Sequence, residues 1–71
     1  MIDIQQHILD SNASAKEALI QLDKLGKDAI VFILDSESKL IGSLTDGDVR
    51  RGLIKGFNLK GKVEPFINGK P

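Results

Sequence analysis

The feature that most constrains the fold is an unbroken apolar run, Ala29-Ile30-Val31-Phe32-Ile33-Leu34, bracketed by Asp28 and Asp35. The run is too short for an ordinary helix, and its β-branched residues favour a strand. Without polar alternation such a strand is expected to be buried on both faces, which makes it the centre of a small sheet. The polar link Asp35-Ser36-Glu37-Ser38-Lys39 leads into a second apolar segment, Leu40-Ile41-Gly42-Ser43-Leu44. That spacing predicts an antiparallel hairpin. Gly42 has no side chain to pack and marks a position that a ligand or a second backbone can approach closely.

Two helices flank the hairpin. Ser14-Ala15-Lys16-Glu17 has capping-box spacing, so a helix is expected to run to Leu25 with Gly26 as its stop. Ala15, Ala18, Leu19, Leu22 and Leu25 form its apolar stripe, while Lys16, Gln21 and Lys24 are expected to face away. The second helix is expected over residues 46–55. Thr45 is its N-cap and Asp48 stands three residues on, a capping-box spacing with Asp in place of Glu. Asp46 and Asp48 fall at the positive end of the helix dipole, and Arg50, Arg51 and Lys55 fall toward the negative end. Gly56 is placed to end this helix in a left-handed conformation. Val49, Leu53 and Ile54 make its expected apolar face.

His7-Ile8-Leu9 reads as a first strand, ended by the turn formers Asp10, Ser11 and Asn12. His7 is expected to flank that strand at the surface, because no second His or nucleophile accompanies it. Val63-Glu64-Pro65-Phe66-Ile67 is a last apolar patch that Pro65 limits to an irregular or single-turn segment. Residues 67–71 read as a linker-like tail. The expected fold class is α+β. The order is strand, helix, strand, strand, helix. A right-handed crossover places the first two strands parallel in a small mixed sheet, with the helices on one face.

Composition bounds the function. The chain has 71 residues, enough for one domain. It contains no Cys and one His, which leaves no disulfide and no ordinary zinc site. Formal net charge is zero but unevenly placed: four Lys stand against nine acidic residues through Asp48, and six basic residues stand against Glu64 alone after it. Only Phe32, Phe57 and Phe66 are aromatic, too few for a platform that stacks nucleic-acid bases. No apolar run approaches a membrane span, and the N-terminal residues lack a basic segment followed by an apolar one. A cytoplasmic location is therefore expected. Gly42 and Gly47 have the glycine spacing of a P-loop, but Asp48 occupies the place of the phosphate-binding lysine. Asp46-Gly47-Asp48 is too short a ligand series for an EF-hand. No nucleophile–base pair or metal cluster is legible, so a non-catalytic role is expected.

The stretch Gly42-Ser43-Leu44-Thr45, followed by Asp48, resembles the end of a CBS domain (the cystathionine-β-synthase type). The continuation Asp-Gly-Asp-Val-Arg-Arg is most similar to the CBS domains attached to sugar-phosphate isomerases and sugar nucleotidyltransferases. The likeness covers roughly residues 6–66. It implies a single copy of a motif that normally works in tandem pairs, with the partner supplied by a second copy or by self-association as a homodimer. It implies a regulatory ligand of the adenosine nucleotide kind, AMP, ADP or ATP, with no obligatory cofactor. Thr45 would then contact ribose or phosphate, and Asp48 would bond the two ribose hydroxyls. The turn bearing Asn12 and Ala13, together with Asp28, Ala29 and Ile30, would frame the base, and Arg51 is the candidate partner for phosphate. The alternative is a structural dimerisation module without a ligand site. Asp28 motivates it, since a carboxylate repels a nucleotide phosphate.

Overall fold

The computed structural model describes residues 4–67. A short 3-10 turn (Ile4–His7) leads into β1 (Ile8–Asp10), followed by α1 (Ala15–Leu25), β2 (Ile30–Leu34), β3 (Leu40–Thr45), α2 (Asp46–Ile54) and a second 3-10 turn (Glu64–Phe66). The strands form one sheet in the order β1-β2-β3, with β1 parallel and β3 antiparallel to β2. This is the α+β arrangement expected from the sequence. The linker-like tail falls on residues 67–71, of which 68–71 lie outside the described residues.

Alternation along β2 explains how the sheet is covered. Val31 and Ile33 are fully buried, and with Leu44 they meet Ala15, Ala18 and Leu22 of α1 and Val49 of α2 in a single core. Ile30, Phe32 and Leu34 point to the other face and are only half-buried. The expectation that both faces of β2 are closed therefore holds for one face within this chain. Small residues let the helices approach: Ala15 and Ala18 are wholly inaccessible. Of α1's expected outer residues, Gln21 departs. It is half-buried, and its Nε2 donates to the Gln6 carbonyl at 2.7 Å.

The ends of the helices follow capping chemistry. At α2 both bonds of the box form, whereas at α1 the Ser14 Oγ accepts the Glu17 N–H at 3.1 Å. The other first-turn donors of α1 are met from far along the chain. Ala15 N–H donates to the Gly61 carbonyl and Lys16 N–H to the Leu59 carbonyl, both at 2.9 Å. Such donors are orphaned by helix geometry and need outside partners. Val63 N–H in turn donates to the Ala13 carbonyl at 3.1 Å. At the far end of α2, Gly56 adopts φ +98°, as its expected left-handed role requires. Gly56 N–H bonds the Leu53 carbonyl and Phe57 N–H the Gly52 carbonyl, both at 3.0 Å, which is a Schellman closure.

The segment after α2 folds back over the helices. Val63 and Phe66 are buried in the core, and the segment is limited to one short 3-10 turn, Glu64–Phe66, with Pro65 as its second residue, as expected. The Phe66 ring occupies the space that Gly52 leaves by having no Cβ. Phe57 meets Phe66 edge to face, with ring centres 5.7 Å apart. This corrects the expected apolar face of α2. Its buried residues are Asp48, Val49 and Gly52, while Leu53 and Ile54 are exposed.

Candidate functional site

Thr45 ends β3 directly opposite Ile30, the first residue of β2. This end of the sheet is where the chain leaves α1 through Gly26, passes Asp28, and enters the central strand. Asp28 holds φ +62°, a left-handed conformation that Asp tolerates better than most residues. The C-terminal end of α1, residues 26–29 and the first turn of α2 enclose an open cleft of about 1100 Å³. Ala29, Thr45 and Gly47 line it together with Leu19 and Leu22. Its charged lining is balanced: Asp23, Asp28 and Asp46 against Lys24, Lys27 and Arg50. Arg50 Nη2 pairs with Asp46 Oδ2 at 3.1 Å, an exposed i,i+4 bridge of small energetic consequence.

The capping box sits at the edge of this cleft. Asp48 Oδ2 accepts the Thr45 N–H at 2.8 Å and the Thr45 hydroxyl at 3.0 Å, and Thr45 Oγ1 accepts the Asp48 N–H at 3.2 Å. Asp48 Oδ1 is held by Arg51 Nη2. The Asp48 side chain is 3% exposed, against 61% for Arg51. Its charge is thus matched by a guanidinium, two donors and the positive end of α2. Of the first-turn donors, the box satisfies those of Thr45 and Asp48, and the amides of Asp46 and Gly47 follow on residues that line the cleft.

The expected site residues divide into three groups. Thr45, Asp28 and Ala29 come together in the cleft, with Ile30 beside Thr45 in the sheet. Asp48 and Arg51 lie behind them, around a separate hollow of about 80 Å³ shared with Pro65 and Phe66. Asn12 and Ala13 belong to the opposite end of the sheet, which corrects their expected place beside the base. β1 runs parallel to β2 and pairs Asp10 with Leu34, so the turn after β1 emerges four residues along β2 from Ile30. At about 3.3 Å per residue that is roughly 13 Å. There Asn12 N–H bonds Asp10 Oδ1 at 2.7 Å, and Ala13 is buried beneath Val63 with its carbonyl engaged.

Sequence reasoning missed Lys24, Lys27 and Gly47 as cleft residues. Their shared signal is position: each stands within four residues of a helix terminus at the same end of the sheet. It also missed the anchor at His7. This residue is half-buried, and its Nδ1 lies 2.8 Å from the Ile30 carbonyl, so that nitrogen carries the proton. Among the described residues no group of three or more His, Cys, Asp or Glu could hold a metal ion, and no helix is long and apolar enough to cross a membrane.

No family model matches the chain. Among curated proteins it is similar to a protein of Helicobacter pylori strain J99, 36% identical over 64 residues, and to one of Helicobacter pylori strain 26695, 38% identical over 66 residues. Both are described as uncharacterized proteins. Each likeness covers 90% of this chain, and the chain spans 19% of the length of either relative.

Proposed function

We propose that this chain is a non-catalytic regulatory module of the CBS type, working in the cytoplasm, that binds an adenosine nucleotide or a related ligand and controls an attached enzyme domain. One observation carries the reading: the start of the central strand, Thr45 and the first turn of α2 converge on a single cleft. Helix N-termini favour polar and anionic ligand groups, and the Thr45 Oγ1 and the Asp46 and Gly47 amides stand at that terminus. The relatives, about five times the length of this chain, leave room for such a second domain. Calorimetric titration with adenosine, AMP, ADP and ATP tests the proposal. Saturable binding to at least one of them, weakened at least tenfold by Gly47→Val at the cleft wall, is the expected result. Absence of heat with all four in a folded sample would remove the ligand reading.

A second reading is a dimerisation module without a ligand. The half-buried row Ile30, Phe32 and Leu34 favours it, because a second sheet laid on that row would complete the burial of β2. Sedimentation equilibrium separates the readings when combined with the titration: a dimer that takes up no nucleotide supports the second alone.

A further inference from the structure

We infer that Arg51 selects a phosphorylated ligand over the bare nucleoside: it occupies the Asp48 carboxylate in the free protein and exchanges that bond for the ligand's phosphate. This rests on the ligand-binding reading above, and it names the ligand class and the residue that enforces it.

Asp48 is the carboxylate of the strand-to-helix junction, and in the free protein it is full. Its Oδ2 accepts both the N–H and the hydroxyl of Thr45. Its Oδ1 is held by Arg51 Nη2. The side chain is almost wholly buried, so ligand hydroxyls gain no acceptor there while Arg51 stays in place. Displacing Thr45 would undo the capping box and the first turn of α2 with it. Arg51 is the partner that can leave by rotation of a side chain alone.

The surroundings of Arg51 suit such an exchange. Its side chain is largely exposed, and among the described residues Asp48 is its sole ion-pair partner. Its guanidinium lies against Gly47. A Cβ on Gly47 would stand 3.4 Å from Nη1 and 3.8 Å from Nη2 of Arg51, and 3.8 Å from Thr45 Oγ1. The guanidinium therefore crosses the first turn of α2 beside Gly47 and Thr45, two residues that line the cleft. A guanidinium carries five N–H donors, so the single bond to Asp48 leaves most of the fork unused. Arg50, its neighbour, is tied to Asp46 instead.

Ligand hydroxyls that take Oδ1 set the guanidinium free. A nucleoside offers it nothing in return. A phosphate offers paired oxygens that match the planar fork. A phosphate on the ligand thus restores the charge-assisted bond that entry of the hydroxyls breaks.

Calorimetry with adenosine and with AMP at one ionic strength, on the wild-type chain, Arg51→Met and Arg51→Lys, tests this. AMP should bind the wild type at least tenfold more tightly than adenosine. Arg51→Met keeps a stem of similar length without a donor. It should weaken AMP at least fivefold and leave adenosine as tight or tighter, because Oδ1 is then open. Arg51→Lys keeps the charge without the fork, and should weaken AMP at least threefold with adenosine unchanged. It decides alone if Arg51→Met does not fold. Loss of affinity by the same factor for both ligands would make Arg51 a support of the capping box only, and overturns the inference. Adenosine binding by the wild type as tight as AMP, or AMP affinity unchanged in the variants, overturns it too. In each of these cases the ligand-binding reading stands. Absence of binding by the wild type to either probe overturns both.

Discussion

At the scale of single residues, Asp48 is a carboxylate whose bonding is directed almost wholly inward. Replacing it with Ala strands the Thr45 N–H and hydroxyl, unpairs Arg51, and removes a negative charge from the start of α2. Loss of a cap and of charge-assisted bonds of this kind is worth about 1–3 kcal/mol. Arg51→Ala takes away only the exposed partner, and its cost should stay below about 1 kcal/mol. Urea melts of the two variants should therefore rank Asp48→Ala well below Arg51→Ala in stability. An equal and small loss in both would mean that the carboxylate contributes little to the fold. Asp28 stands at the other extreme. It is exposed and its backbone is left-handed, so its carboxylate faces solvent where that of Asp48 is buried.

At the scale of elements, α2 shows how far local pattern reaches. Its N-cap at Thr45, its charge layout and its left-handed Gly56 follow from neighbours within four residues, and these were legible in the sequence. The buried face was not. Helical periodicity selects Leu53 and Ile54, yet Phe66 comes back from fourteen residues beyond Gly52 and seats itself where no side chain stands. A long-range contact that uses the absence of a side chain leaves no periodic signal. Asn12 and Ala13 were misplaced for a related reason: strand direction and register, not proximity in sequence, decide which loops share an end of a sheet. The strand within residues 29–34 and the Thr45 junction were read correctly because each carries its own instruction in composition or capping, but burial of that strand on both faces was not borne out. The seat at Gly52 makes a prediction. Ala is a better helix former than Gly by about 1 kcal/mol, so a free position would gain stability from Gly52→Ala. Here the new Cβ runs into the Phe66 ring, and overpacking of this kind costs about 1–3 kcal/mol. Net destabilisation in a denaturant melt, with changed chemical shifts for Phe57 and Phe66, is expected. A more stable Gly52→Ala protein would show that the ring is not seated there.

At the scale of the whole molecule, both helices and the buried core of the described residues lie on one side of the sheet. Ile30, Phe32 and Leu34 present apolar surface that neither helix reaches. Hiding a few hundred Å² at about 25 cal/mol per Å² gives several kcal/mol before the entropy of association is subtracted. A twofold dimer through this face is the expected state at high micromolar concentration, and Phe32→Lys should return it to monomer. A wild-type monomer across the concentration series in sedimentation equilibrium would exclude it. The other side is held by a belt. The carbonyls of Leu59 and Gly61 receive the opening amides of α1, and Val63 is tied to Ala13. α1 leaves the ribosome before residues 59–63, so its N-terminal amides gain their partners only after those residues have followed. The unit is therefore expected to stay uncommitted while it is being made, and to fold in one late step once its last apolar residues emerge.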